Sequence, residues 1–194
     1  HTLSLSPQSV PEAPWIRPSF RGPAVVQLAT VKSALVVHLT RPSGRFCRAS
    51  QPILEAVIRD ETIIKAGCGI DHDMLELKSV FSNLEARSRL DLCGLRAHTE
   101  KQTPGLKTLT GQILGLELPK CRTLSRSDWS QFPLSSQQVA YSALDAWAGA
   151  AIVDELALRD PATFSTNALI DRLKSQRSVR ELHHRQITRR RAKS

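Results

Sequence analysis

The sequence predicts a layered α/β domain, and three stretches carry that prediction. Residues 24–30 and 34–40 are apolar, β-branched runs separated by Val31-Lys32-Ser33, the pattern of an antiparallel hairpin. Residues 62–66 form a short β-branched run closed by Gly67, which reads as a buried strand. Residues 135–158 read as a long helix. Ser135 and Gln138 have capping-box spacing after Pro133, and Val139, Leu144, Trp147, Ile152 and Val153 supply an apolar face. Hairpin, helix, strand and further helices in that order describe a sheet covered by helices.

The remaining elements fill in around these. Residues 1–23 contain Pro7, Pro11, Pro14, Pro18 and Pro23. Proline lacks the ladder donor and restricts the residue before it, so this stretch is expected to be extended coil rather than a central strand. Residues 41–50 read as a polar loop and 52–59 as a short helix, with Ile53, Leu54 and Val57 at helical spacing. Residues 71–81 return to helical period through Met74, Leu77 and Phe81. Residues 92–97 are a candidate short helix. Residues 104–114 follow as a helix with Pro104 in the first turn and Gly115 after its end. Residues 117–128 read as loop and 164–176 as a last helix. No internal repeat is visible.

Composition narrows the function classes. The chain has 194 residues, 41% hydrophobic and 23% charged, which is ordinary globular usage and excludes collagen-like, coiled-coil and wholly disordered chains. No apolar run approaches the ~18–20 residues that span a bilayer, and no secretory leader pattern opens the chain. The first residue is His1 rather than Met, as expected of a processed or incomplete chain. Cys47, Cys68, Cys93 and Cys121 form no C-x-x-C pair, so free thiols are expected rather than a zinc ribbon or a disulfide framework. The net charge of +9 is concentrated: residues 171–194 carry nine Lys or Arg against Asp171 and Glu181. Such a tail attracts polyanions by counterion release, or is simply a solvated end. Arg189-Arg190-Arg191 also resembles a nuclear-import address, and a nuclear or otherwise intracellular location is expected.

Two motifs bear on chemistry. Tyr141 and Asp145 are four apart on the long helix and share a face. Alone the pair is unremarkable, a core-edge tyrosine and a solvated aspartate. It stands, however, in an ordered string: Asp128-Trp129-Ser130, Phe132-Pro133-Leu134-Ser135, Gln138, Tyr141-Ser142-Ala143-Leu144-Asp145-Ala146 and Gly149. That string closely resembles the third motif of the DEDD-type 3′–5′ exonucleases, in the tyrosine-containing subgroup of Werner-like and ribonuclease D-like enzymes. Lys65-Ala66-Gly67-Cys68-Gly69-Ile70, then Asp73 and Leu77, matches the family's second motif in full. Val26-Gln27-Leu28 matches a family strand, and the resemblance spans about residues 16–158.

The resemblance implies a ribonuclease H-like mixed sheet flanked by helices, and hydrolysis at nucleic-acid 3′ ends by two Mg²⁺ or Mn²⁺ ions in DNA or RNA processing or repair. Asp145 and Asp73 would be metal ligands and Tyr141 would orient the attacking water. Trp129 is a candidate base-stacking residue, although a motif tryptophan is more often a packing residue, and Arg189, Arg190 and Arg191 are candidate phosphate contacts. Hard divalent ions need converging oxygen ligands, and the family supplies two of them as D-x-E on its first strand. Here Glu12-Ala13-Pro14-Trp15-Ile16-Arg17-Pro18-Ser19-Phe20 resembles the flank of that motif, yet no register places both acids, and no aspartate precedes Asp60. The family's first strand is therefore expected to be missing, leaving a vacant lane beside the hairpin. Either the motif lies upstream of His1, or the chain is an inactive relative that binds nucleic acid or a partner. The expected organisation is proline-rich coil over 1–15, an exonuclease-like domain over 16–160, and a helical extension with basic tail over 161–194.

Overall fold

A computed structural model describes residues 2–9, 23–39, 51–95, 104–119 and 121–191, with side chains except at 5–9 and 189–191. Five strands form one mixed sheet. They are β1 (Thr2–Ser9), β2 (Pro23–Ala29), β3 (Ala34–His38), β4 (Ile64–Gly67) and β5 (Arg89–Asp91), in the order β3-β2-β1-β4-β5. β1 is antiparallel to β2 and parallel to β4, β2 and β3 form the hairpin, and β4 and β5 are parallel. The helices are α1 (Gln51–Arg59), α2 (Ile70–Val80), α3 (Leu106–Leu109, running into a π-helical turn at Thr110–Leu114), α4 (Arg122–Ser125), α5 (Ser136–Arg159), α6 (Pro161–Phe164), α7 (Thr166–Leu173) and α8 (Val179–Arg191).

Each face of the sheet has its own core. On one, Val26 and Leu28 of β2 pack with Leu54 and Ile58 of α1, Met74 and Leu77 of α2, and Val179 of α8. On the other, Ile64, Ala66 and Leu90 pack with Ile152 and Val153 of α5 and Leu169 and Leu173 of α7. All seven residues of β2 are buried, as a strand covered on both faces requires.

The opening of the chain differs from the expectation. Thr2–Ser9 is the central strand, not coil, and it fills the lane expected to be vacant. Thr-Leu-Ser-Leu-Ser alternates with the strand period, a signal that the prolines outweighed in the sequence. β1 pairs with β4 only over Thr2–Ser4, so Pro7 lies beyond that ladder, on a strand with one open edge. The hairpin and β4 therefore border a paired strand, and no stability deficit follows from a gap. The basic tail is also not a solvated end. Through residue 191 it is mostly helix, and fully buried Val179 anchors it in the core beside α2. Residues 166–173 form a helix of their own, separated from α6 by the Ser165 cap, whose hydroxyl accepts from the Ala168 N–H at 3.4 Å.

The buried face of α5 also differs from the expected apolar one. Val139 and Leu144 are 42% and 37% exposed, whereas Ser142, Ala146 and Gly149 are buried. Small residues let the helix lie close on β1. A Cβ at Gly149 would sit 2.1 Å from Ser4 Oγ and 3.0 Å from Ser4 Cβ. Gly149→Ala is expected to destabilise by roughly 1–3 kcal/mol through overpacking, although alanine is the better helix former by about 1 kcal/mol. Chemical denaturation measures it, and Ser4→Gly in the same chain should recover most of the loss. A neutral or stabilising Gly149→Ala would show that α5 stands further from β1.

Candidate active site

The third-motif string folds as a clamp on the start of α5. Ser135 caps the helix, its hydroxyl accepting from the Gln138 N–H at 3.2 Å, and Gln138 Oε1 accepts from the Ser135 N–H at 3.0 Å. The same buried Gln138 donates through Nε2 to Ser127 Oγ and to the Asp128 carbonyl, both at 3.0 Å. This fixes the loop that carries Trp129. Trp129 is 1% exposed and packs on Ala24, Val25 and Tyr141, with ring centroids 6.2 Å apart for the Trp–Tyr pair. It supports Tyr141 from below and offers no face for a base, contrary to the stacking expectation. Its backbone carbonyl also meets His38 Nε2 at 3.0 Å.

Tyr141 and Asp145 lie side by side on α5, near enough for the phenol to interact with the carboxylate. Burial pushes Asp145 up to about 6, with the tyrosine opposing part of that rise. Burial, helped by the Asp145 charge, pushes Tyr141 up to about 12, so the phenol stays protonated and can donate.

Asp73 lies on α2, which begins immediately after Gly69. Gly69 has φ +78°, a left-handed conformation that explains the second glycine of the motif. Burial, and then the charges of Glu76 and Asp91, push Asp73 up to about 8. Asp91, at the end of β5, accepts from the Gly69 N–H at 3.1 Å and the Cys93 N–H at 3.0 Å, tying the motif turn to the next strand. Cys68 and Cys93 lie close together beside it, and burial raises both thiols. Lys65 of the same motif is buried, donates to the Asp60 carbonyl at 2.6 Å, and is lowered to about 8, chiefly by burial.

These shifts fix the pH dependence of stability. Asp145 and Asp73 hold their protons to about 6 and 8 in the fold, against 3.8 for a free aspartate. From about pH 4 to 8 the unfolded chain therefore binds fewer protons, and stability falls as pH rises. Lys65 acts oppositely, since above pH 8 the fold has lost a proton that the unfolded chain keeps to about 10.5. The thermal midpoint is expected to decline from pH 5 to pH 8; above that the gain from Lys65 is opposed by the raised Cys68, Cys93 and Tyr141, so no full recovery follows. A midpoint rising steadily from pH 5 to 8 would contradict the buried, uncompensated carboxylates.

The structure thus brings Tyr141 and Asp145 together, and Asp73 with Asp91, but gives Asp73 no interaction with Asp145. The side chains of Arg189, Arg190 and Arg191 fall outside the described residues. Asp91 and the Cys68–Cys93 pair were not singled out in the sequence as site residues, because only the β4–β5 register places them together.

A family model described as "3'-5' exonuclease" matches residues 25–159, more than half of the chain. The chain belongs to the 3′–5′ exonuclease family. A 3′–5′ exonuclease of Arabidopsis thaliana is 32% identical over 135 residues, covering 68% of this chain and 46% of that protein. The bifunctional 3′–5′ exonuclease/ATP-dependent helicase WRN of Mus musculus is 31% identical, covering 69% and 9%. This chain therefore spans less than half the length of either relative. The exonuclease domain of Aedes aegypti Nibbler has the same fold, with a TM-score of 0.68, 18% identity and coverage of 88% and 84%. Escherichia coli RNase D shares it at a TM-score of 0.61 and 22% identity, with coverage of 88% and 42%. So does Brucella melitensis NrnC with bound Mg²⁺, at a TM-score of 0.61 and 18% identity, with coverage of 88% and 80%. The ribonuclease H-like mixed sheet expected from the sequence is confirmed, with its first strand present.

The family's two-ion centre can be tested against this donor set. β1 runs beside α5 through the middle of the sheet, and Thr2–Ser9 contains no acidic residue. Among the described residues no three His, Cys, Asp or Glu side chains converge to hold a metal. On the neighbouring strand the buried amide of Gln27 has neither its nitrogen nor its oxygen satisfied. The described residues do not fit a two-metal site.

Proposed function

We propose that this chain binds nucleic-acid 3′ ends in the exonuclease cleft and hydrolyses them poorly or not at all. The observation that carries this reading is the central strand β1, which occupies the position of the family's acidic strand without a carboxylate. Tyr141, Asp145 and Asp73 remain in place, so the cleft keeps groups able to accept from, or donate to, a terminal sugar hydroxyl. The second reading is an active exonuclease, favoured by the Tyr141–Asp145 pair on one face of α5. In either case α8 supplies the phosphate attraction. Arg177, Arg180 and Arg185 are exposed around it, and the helix is fixed to the domain rather than trailing from it.

Binding is tested by salt titration of affinity for a single-stranded oligonucleotide, carried out in chelator. About five phosphate contacts would give a log–log slope of roughly −3.5 on single strands and −4.5 on duplex. Because Leu173 and Val179 are buried, deleting residues 171–194 would damage the core, so charge substitutions are the cleaner probe. Arg180→Gln with Arg185→Gln is expected to make the slope shallower by about 1.5 units and leave the folded signal intact. An unchanged slope would place recognition away from α8. No binding at all would remove the proposed function.

A further inference from the structure

We propose that Cys68 and Cys93 form an oxidisable dithiol that closes a reversible disulfide between the end of β4 and the turn after β5. The backbone brings them together. β4 and β5 are parallel neighbours with Gly67 opposite Asp91, so Cys68 lies one residue beyond that pair and Cys93 two. Adjacent strands stand about 4.8 Å apart, and a one-residue offset of about 3.3 Å along them gives a Cα separation of roughly 6 Å, inside the ~4.4–6.8 Å that a disulfide spans. One carboxylate oxygen, Oδ1 of Asp91, holds both segments, accepting from Gly69 N at 3.1 Å and Cys93 N at 3.0 Å. The two thiols are near enough to influence each other electrostatically, and both residues are free and half-buried.

The surroundings favour bond formation over other thiol chemistry. Gly67 and Gly69 flank Cys68, and Gly94 follows Cys93, so each backbone can adjust by the small amount that S–S bonding requires. Among the described residues no third ligand completes a metal site, which leaves a two-thiol reaction. With hydrogen peroxide as oxidant, one sulfur attacks the O–O bond, becoming a sulfenic acid and releasing water. The second sulfur displaces the sulfenic oxygen as a second water, so two thiols and one peroxide give one disulfide and two waters. The loop so closed contains all of α2 and Asp73. Oxidation would lock the helix that carries the second motif onto the end of the sheet.

The test uses the full chain with Cys47→Ser and Cys121→Ser, so that only this pair remains. Peroxide treatment is expected to remove both free thiols with a mass loss of about 2 Da, and to yield a Cys68–Cys93 linked peptide after digestion. The thermal midpoint should rise by roughly 5–10 °C and return on reduction with dithiothreitol. The reduced chain should also bind phenylarsine oxide one to one, and Cys93→Ser should abolish both responses. If that variant fails to fold, the linked peptide and the arsenical stoichiometry of the parent decide the matter. Gain of oxygen on separate cysteines, or links only between chains, would overturn the proposal.

Discussion

In Mg²⁺ or Mn²⁺ this chain is expected to release 3′-terminal nucleotides at least about 10³-fold more slowly than a family member whose first strand carries both acids. Metal-centred stabilisation of the developing charge is worth several kcal/mol, and each 1.36 kcal/mol is a factor of ten in rate. Here the strand between the hairpin and β4 has only Thr, Leu, Ser, Pro and Gln to offer. Asp73 and Asp145 remain on α2 and α5, but they do not supply the two further carboxylates that the family's first strand would bring. Release of labelled 3′-mononucleotide by the purified chain is the measurement, with Asp145→Asn and Tyr141→Phe alongside. Neither substitution is expected to lower the residual rate further. A metal-dependent rate that Asp145→Asn reduces by 10² or more would establish an active exonuclease and end the binding-only reading.

The parts of this molecule that were legible in the sequence were those with local signals. Ser135, Gln138 and Gly69 announce helix boundaries through the atoms of their own turns, and the structure uses them that way. The hairpin was legible because two β-branched apolar runs and the short turn between them are neighbours in the chain. β1 was misread because Pro7 is informative only once the strand's partners are known. On an edge left open past Ser4 it removes nothing that β4 needs. For Trp129 the sequence left stacking and packing both open, and the choice falls to packing only when Gln138 is seen pulling that loop onto the helix. The pairing of Cys68 with Cys93, and of Asp73 with Asp91, depends on strand register across the whole of α2, which no local pattern encodes.

Arg89 shows the same dependence and carries the largest expected effect on stability. Its side chain is 2% exposed. Nε donates to Asp71 Oδ1 at 2.7 Å, Nη2 to the Arg177 carbonyl at 2.7 Å, and Nη1 to the Ala86 carbonyl. Its backbone is matched as well, the N–H donating to Gln176 Oε1 at 2.9 Å and the carbonyl accepting from Gln176 Nε2 at 2.5 Å. One guanidinium thus joins β5, the first turn of α2 and the linker that launches α8. Lysine cannot reproduce this fork, because a point charge lacks three donors in fixed directions. Arg89→Met would leave two carbonyls and Asp71 without their partner. The expected cost is about 3–5 kcal/mol, as for other broken buried charge networks, which for a domain of this size lowers the midpoint by roughly 6–20 °C. Asp71 is half exposed and can rehydrate, so Asp71→Asn should cost much less, about 1 kcal/mol. Hydrogen exchange on Arg89→Met should show α8 losing protection before β1 and β2, because the linker is the contact that fails first. Equal costs for the two substitutions would mean that the ion pair, and not the carbonyl contacts, holds the basic helix to the exonuclease fold.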